Sequence, residues 1–480
     1  MATAPGAGPS TSEPQGDQSP GVARITGGHL VRRDTVEGRP NRRHQAREGA
    51  HRANRSHSHR RYLAALSWVV LCSACGESGT TKVDVVALTD VVVSDDTRRS
   101  KWSSGAIQIG PAFGESRASP TWTSLGAVTL DASGRSAPLP VNVSATDRGL
   151  AIRVRPVKPH PEAPWCFGVD HVQLPDGVTW IGALSGGMGA GQRPHGDHRA
   201  VPQHGYGIFT LPNDGDSTLP DGQMTFRVVL RDCQYDLPTK RVPGWHRRGR
   251  FADLPKSVFV EYFREPQKKD AQTAALELRI AVGRDETGAP LVPPYVIRNA
   301  LVSVSQIFAK IGISIRVRRS ALVDAPQLLT FGPGDRSEID GLYSASMDAL
   351  SDPTPRRFVP VVIVRCAKRL SDLGDSPLLG FSPRVPGGAP FGPSASGVFW
   401  ASHDCSDDSV IAGSEVWPQV LAHELGHYLG LFHSDGPLGR GWSSNSAPDL
   451  MRVDGAFSAG AAFTKKQEHV IGRHFDVTFD

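Results

Sequence analysis

The feature that most constrains this chain is a short segment near its C-terminal end, in which three histidines recur around a glutamate and a glycine. His423 and His427 are four residues apart, so on a helix they project from one face and can hold a single ion. Glu424 stands beside the first histidine, where its carboxylate can reach a water on that ion. Gly430 can adopt backbone angles closed to other residues, which lets the chain turn back so that His433 becomes a third ligand.

Three neutral imidazoles leave the fourth position of a tetrahedral ion for water, which is the arrangement of a catalytic zinc site. Zinc lowers the pKa of that water, and Glu424 is predicted to take its proton during attack on a carbonyl and to pass it to the leaving group. With 17 histidines and 51 glycines in the chain, the full spacing arises by chance in roughly one such chain in ten thousand. The segment therefore predicts a site for one Zn²⁺.

The residues around this segment predict an α/β layer that begins near residue 275. Residues 276–282 alternate as a strand, and apolar residues between 297 and 311 share one helical face that ends at Gly312. Further strands are expected at residues 313–317, 358–364 and 397–401. A second helix begins near Pro418 and carries the histidines.

The region from 101 to 263 predicts a separate all-β sandwich, because short alternating runs recur between turn residues. Residues 126–130, 150–154 and 224–230 are examples of such runs. Residues 264–274 form the expected linker between the two domains, and no chemistry is assigned to the sandwich.

The segment 423–433, together with Met451 downstream, resembles the metzincin clan of zinc endopeptidases. The resemblance covers about residues 275–480 and looks closest to bacterial pappalysin-like or matrixin-like members. It implies an α/β (α+β) catalytic domain with a mixed sheet and an active-site helix, with Met451 in a turn beneath the metal. It also implies that a strand bordering the cleft pairs with an extended substrate, either near residues 380–382 or near residues 397–398.

The N-terminal hundred residues predict export rather than a folded domain. Residues 1–58 are a basic low-complexity extension, expected to be disordered and to come from a start site placed too early. Residues 59–75 have a basic flank, a short apolar core and small residues, which predict a lipoprotein-type signal with lipidation at Cys75. An ordinary signal peptide is the alternative. Residues 76–100 read as a flexible linker.

Export places the four remaining cysteines in an oxidising compartment, where two disulfides are expected. Three connectivities are open, and pairing neighbours keeps each bridge inside one predicted domain. These cysteines are Cys166, Cys233, Cys366 and Cys405.

Together these features predict an exported zinc metalloendopeptidase that acts on protein or peptide substrates. The alternatives are a surface-binding lipoprotein with an inactive or accessory metal domain, or a zinc amidase acting on a non-protein amide. The net charge of +5 lies largely in the N-terminal extension, where no aromatic residues interleave with the basic ones. Nucleic acid is therefore not an expected partner, and membrane contact is expected only through the lipid anchor.

Overall fold

The chain divides into two units, 1–88 and 89–480. The computed structural model describes residues 121–157, 165–182, 203–232, 255–267, 273–331, 336–351, 357–370, 376–388, 395–435, 448–453 and 460–479. All of these lie in the second unit. The predicted basic extension, the lipoprotein signal with Cys75 and the linker at 76–100 lie outside the described residues.

The N-terminal half of the described chain consists of two antiparallel sheets that share one apolar core. Its strands are β1 (Thr123–Thr129), β2 (Leu139–Val143), β3 (Asp147–Pro156), β4 (Trp165–Gln173), β5 (Thr179–Ile181), β6 (Gln203–His204), β7 (Gly207–Leu211), β8 (Gly222–Asp232) and β9 (Ser257–Pro266). One sheet has the order β1-β9-β3-β7 and the other β2-β8-β4-β5, with β6 paired to β4. Ile152 and Val260 from the first sheet meet Phe167 and Val228 from the second. We call these two sheets the sandwich.

The C-terminal half is built on a mixed sheet, and we call it the α/β layer. Its strands are β10 (Ala274–Gly283), β11 (Ile313–Val323), β12 (Leu328–Phe331), β13 (Val359–Val364), β14 (Cys366–Arg369), β15 (Ser376–Leu378), β16 (Gly380–Phe381), β17 (Val398–Ala401) and β18 (Val477–Phe479). Its helices are α1 (Pro294–Ala309), α2 (Ser337–Leu350), α3 (Val416–Tyr428) and α4 (Lys465–Gly472).

The main sheet of the α/β layer has the order β11-β10-β13-β17-β16, with β18 added to β10, and β12-β14-β15 form a separate three-stranded sheet. The pairs from β11 to β17 are parallel, whereas β16 runs antiparallel to β17 and β18 antiparallel to β10. Alternate residues of each strand face opposite sides. Leu278 and Ile280 therefore pack into the core with α1 and α3, and Ala281 packs with α2. Because helices cover both faces, the central strand β13 is buried throughout.

The predicted strands and helices occur in the predicted order, but several are longer. β9 continues to Pro266 and β10 begins at Ala274, so both strands extend into the predicted linker. α2 was not among the predicted elements, although its buried residues Ile339, Leu342 and Tyr343 follow helical spacing.

The sandwich packs directly against the part of the α/β layer that carries the histidines. Glu265 at the end of β9 forms ion pairs with Arg148 and Arg357. Gln203 of the sandwich donates from Nε2 to the carbonyl oxygens of Val385 and Pro386, at 3.2 Å and 3.4 Å. Gly387, which follows these two residues, donates its backbone N–H to the carbonyl oxygen of Tyr428 at the end of α3, at 2.7 Å.

Candidate metal centre

The three motif histidines converge in space, as the sequence predicted. α3 carries His423 and His427 on one face, and the helix ends just before Gly430, whose φ of 103° is a left-handed value that glycine adopts without strain. The chain then returns towards the helix. The Nε2 atom of His433 consequently lies 3.1 Å from Nε2 of His423 and 3.0 Å from Nε2 of His427.

The other ring nitrogens of the two helical histidines are held by backbone carbonyls. Nδ1 of His423 donates to the Leu450 oxygen at 2.6 Å, and Nδ1 of His427 donates to the Leu431 oxygen at 2.7 Å. A carbonyl oxygen can only accept, so both Nδ1 atoms carry the proton. The Nε2 atom of each neutral ring therefore presents a lone pair to His433.

Burial keeps these imidazoles neutral. It lowers the pKa of His423 to about 4 and is also the first cause of the lowered pKa values of His427 and His433. Neutral rings with converging lone pairs repel one another unless a cation lies between them. A tetrahedral zinc with bonds of 2.0–2.1 Å separates its nitrogens by roughly 3.3 Å, so the observed spacing fits such an ion.

Glu424 lies next to this cluster, and its side chain is almost fully buried. The residue is only 8% exposed, and burial raises the pKa of its carboxyl to about 8, although the backbone N–H of Ser382 donates to it. A cation held by the histidines would favour the ionised form of this carboxyl. The site can therefore place a carboxylate beside a metal.

The edge strand β16 borders this carboxyl. A Cβ added at Gly380 would come within 2.9 Å of Glu424 Cγ and 2.8 Å of Val420 Cγ1. β17, the other candidate for the cleft strand, is paired on both sides, by β13 and by β16. Of the two strands, only β16 has a free edge among the described residues. Gly380 also lets this strand lie close to α3.

Met451 lies under α3, fully buried. A Cβ added at Gly426 would collide with its sulfur atom, so this glycine is required for the close approach. The turn that contains Met451 also supplies the Leu450 carbonyl that holds His423. Asp449 fixes the turn by accepting from the backbone N–H of Met451 at 2.9 Å.

Two further residues that hold the elements of the site together could not be assigned from the motif. The hydroxyl of Tyr428 donates to the buried carboxyl of Asp476 at 2.8 Å, which ties the end of α3 to the C-terminal segment. Gln467 donates to Asp449 at 2.9 Å while it also caps α4. The sequence spacing of Thr464 and Gln467 predicts a capping box, but the link from Gln467 to Asp449 depends on tertiary contact.

The cysteines behave as expected where they are described. Cys366 and Cys405 form a disulfide, with their Cα atoms 5.3 Å apart. Cys166 is also disulfide-bonded, and its expected partner, Cys233, lies outside the described residues.

Among the described residues, no helix is both long and apolar enough to cross a membrane.

Comparison with known proteins assigns no family to the chain. No family model matches it, and neither does any curated protein. Metalloproteinase-II from Bacteroides fragilis is 14% identical with a TM-score of 0.24, and the match covers 44% of this chain and 57% of that one. The Gap123 glycosylation-associated protein complex from Streptococcus agalactiae is 7% identical with a TM-score of 0.14, covering 55% of this chain and 71% of that one. Likenesses at this level carry no argument about function.

Proposed function

We propose that this chain is a zinc-dependent metalloendopeptidase, with His423, His427 and His433 as ligands and Glu424 as the general base and then acid. The observation that carries the proposal is that Nε2 of His433 lies within 3.1 Å of Nε2 of both His423 and His427, while the buried Glu424 adjoins His423 on α3. A structural zinc site normally has four protein ligands and no need of such a carboxyl. An inactive or accessory metal domain would not explain it.

The side chains divide the chemistry between them. A bound zinc would supply a Lewis acid that polarises the scissile carbonyl and acidifies a water molecule. The carboxylate of Glu424 takes a proton from that water and returns it to the leaving nitrogen. The carbonyls of Leu450 and Leu431 keep the Nε2 atoms of His423 and His427 turned inwards. Met451 provides the apolar floor beneath α3.

The free edge of β16 suits an extended peptide, because a strand adds to a sheet edge by main-chain hydrogen bonds whatever its side chains. This favours peptide over non-protein amide substrates. The substrate would lie along Gly380 and Phe381, within reach of Glu424.

The decisive experiment uses residues 76–480. We expect one zinc per chain by elemental analysis and cleavage of casein that a chelator abolishes and added zinc restores. Sequencing of the products would distinguish cleavage at internal peptide bonds from amidase action. Zinc binding without chelator-sensitive cleavage of casein or of a peptide library would refute the peptidase assignment.

We also propose export, with lipidation at Cys75. The disulfide of Cys366 with Cys405 supports an oxidising compartment. Mass spectrometry of the mature protein tests the anchor, since a diacylated N-terminal Cys75 is expected. A mature chain that begins elsewhere would point to an ordinary signal peptide.

A further inference from the structure

A buried arginine and a half-buried one lie near the start of α2, in contact with the sandwich. Arg336 is the N-cap residue that precedes α2, and Arg384 follows β16. Arg384 is only 2% exposed, and the side chain of Arg336 is 16% exposed. None of the roles proposed above uses either residue. We call them, with Asp340 and Tyr206, the paired-arginine cluster.

The contacts of the cluster hold both guanidinium groups in place. Arg384 donates from Nε to the Ala395 oxygen at 2.9 Å and from Nη1 to the Tyr206 oxygen at 2.7 Å, and it lies 3.7 Å from the Tyr206 ring centroid. The backbone N–H of Ala395 donates to Asp340 at 2.7 Å, and this carboxylate lies 4.0 Å from Arg336 Nε. The sandwich, α2 and the segment after β16 thus meet here.

Three buried nitrogen atoms of these arginines have no acceptor within the described part of the chain. They are Nε and Nη2 of Arg336 and Nη2 of Arg384. Nε and Nη2 form one edge of a guanidinium, the fork that binds two oxygens of an anion at once. Leaving a buried charged donor unpaired is costly.

The net charge of the cluster also favours a bound anion. Two arginines face one aspartate, so a positive charge is left over in a buried place. The pKa of Arg336 is lowered to about 10, first by burial and next by the charge of Arg384. An anion between the two groups would offset both causes.

We propose that Arg336 and Arg384 together bind one small oxyanion, either an inorganic one such as sulfate or a carboxylate such as acetate. The near-complete burial of Arg384 restricts the ligand to a small one. The bound anion would join α2 to Tyr206 of the sandwich and so stabilise the folded chain. This inference does not depend on the proposed peptidase activity.

The test measures the melting temperature of residues 76–480 at 0–20 mM sulfate, with ionic strength held constant by chloride. We expect a rise on the order of 2 °C in the parent chain. Arg336→Gln removes the fork and should abolish the rise. Arg365→Gln, which changes an arginine of an exposed ion pair, should keep it. Acetate in place of sulfate distinguishes the two sources, since a larger response to acetate would assign a carboxylate.

A second measurement does not depend on any variant folding. Crystals of the parent chain soaked in selenate should show anomalous density within hydrogen-bond distance of the Arg336 fork and Arg384. Absence of that density, or an equal response to sulfate in the parent chain and Arg336→Gln, would overturn the proposal. A rise with chloride as large as that with sulfate would also overturn it, because a fork that binds two oxygens prefers an oxyanion.

Discussion

At the scale of single residues, the surroundings of Glu424 set it apart from the three histidines. Its carboxyl accepts from the Ser382 backbone and takes no part in the contacts among the imidazole nitrogens. Glutamine has the same shape and can still accept from Ser382, but it cannot take a proton. We expect Glu424→Gln to keep the metal and to lose roughly 10²–10⁴ in kcat.

Steady-state kinetics on a fluorogenic peptide and elemental analysis measure the two effects separately. Glu415→Gln, which changes an exposed glutamate at the start of the same helix, serves as the matched control. Near-normal turnover by Glu424→Gln would show that another group is the base.

His474 and Asp476 form a buried pair whose pKa values are shifted in opposite directions by burial. Burial lowers the pKa of His474 to about 3 and raises that of Asp476 to about 7. Between pH 4 and pH 6 the unfolded chain protonates the histidine and the folded chain does not, so this group reduces stability as the pH falls. Asp476 is protonated only in the folded chain over this range, so it increases stability as the pH falls.

Replacing one residue of the pair should therefore reveal the pH dependence that the other contributes to the free energy of unfolding. Relative to the parent chain, His474→Gln should make the free energy of unfolding rise as the pH falls from 6 to 4, by about 1.4 kcal/mol per pH unit. Asp476→Asn should show the opposite slope. Urea unfolding at pH 4, 5 and 6 gives both slopes. Parallel curves for all three proteins would mean that the pair does not titrate in this way.

At the scale of secondary-structure elements, the N-terminus of α4 has two functions. Thr464 and Gln467 form a reciprocal capping box. Gln467 is fully buried and its amide also donates to Asp449 in the turn that holds Met451. One side chain thus caps the start of α4 and holds the turn beneath the candidate metal centre.

This double function predicts that two substitutions in the capping box lower the free energy of unfolding by different amounts. Thr464→Ala should lower it by about 1 kcal/mol. Gln467→Ala should cost roughly 2–4 kcal/mol, because the buried Asp449 loses a donor and a cavity forms. It should also weaken zinc binding roughly tenfold through the Leu450 carbonyl.

Urea unfolding and competition with a chelating dye measure these two quantities. Lys465→Ala is the control, since its ion pair is exposed and should contribute less than about 0.5 kcal/mol. Equal losses in Thr464→Ala and Gln467→Ala would contradict the second function.

At the scale of the whole molecule, a buried ion cluster joins the sandwich to the C-terminal segment. Glu265 is 3% exposed and lies 2.9 Å from Arg148 and 3.3 Å from Arg357. Arg148 also donates to the carbonyls of Gly472 and Val477, and Arg357 donates to that of Phe475. Neutralising Glu265 would leave two buried cations without their carboxylate.

We therefore expect the sandwich and the α/β layer to unfold together in a single calorimetric transition. Glu265→Gln should reduce the free energy of unfolding by roughly 3–5 kcal/mol. Arg365→Gln breaks an exposed pair and should cost at most about 1 kcal/mol. Two separate transitions in the parent chain would show that the two parts are energetically independent.

The sequence by itself determined the order of the predicted elements, although not α2, and the spacing of the three histidines. Hydrophobic period and turn residues depend on neighbours along the chain, which is why the order of strands and helices and the capping box of α4 could be predicted. The spacing of the candidate ligands His423, His427 and His433 is likewise a local property, because helix geometry and one glycine define it.

Only the tertiary structure decided which groups surround these histidines. The carbonyls of Leu431 and Leu450 are backbone groups, so no residue type in the sequence indicates that they accept from these histidines. β16 became the edge strand through sheet order, which pairing between distant segments sets. His474 has the polar character of a surface residue but is fully buried, with its Nε2 against the Gly387 carbonyl and its ring beside that of Tyr428. Burial depends on the packing of the whole chain, so it cannot be predicted from a local sequence pattern.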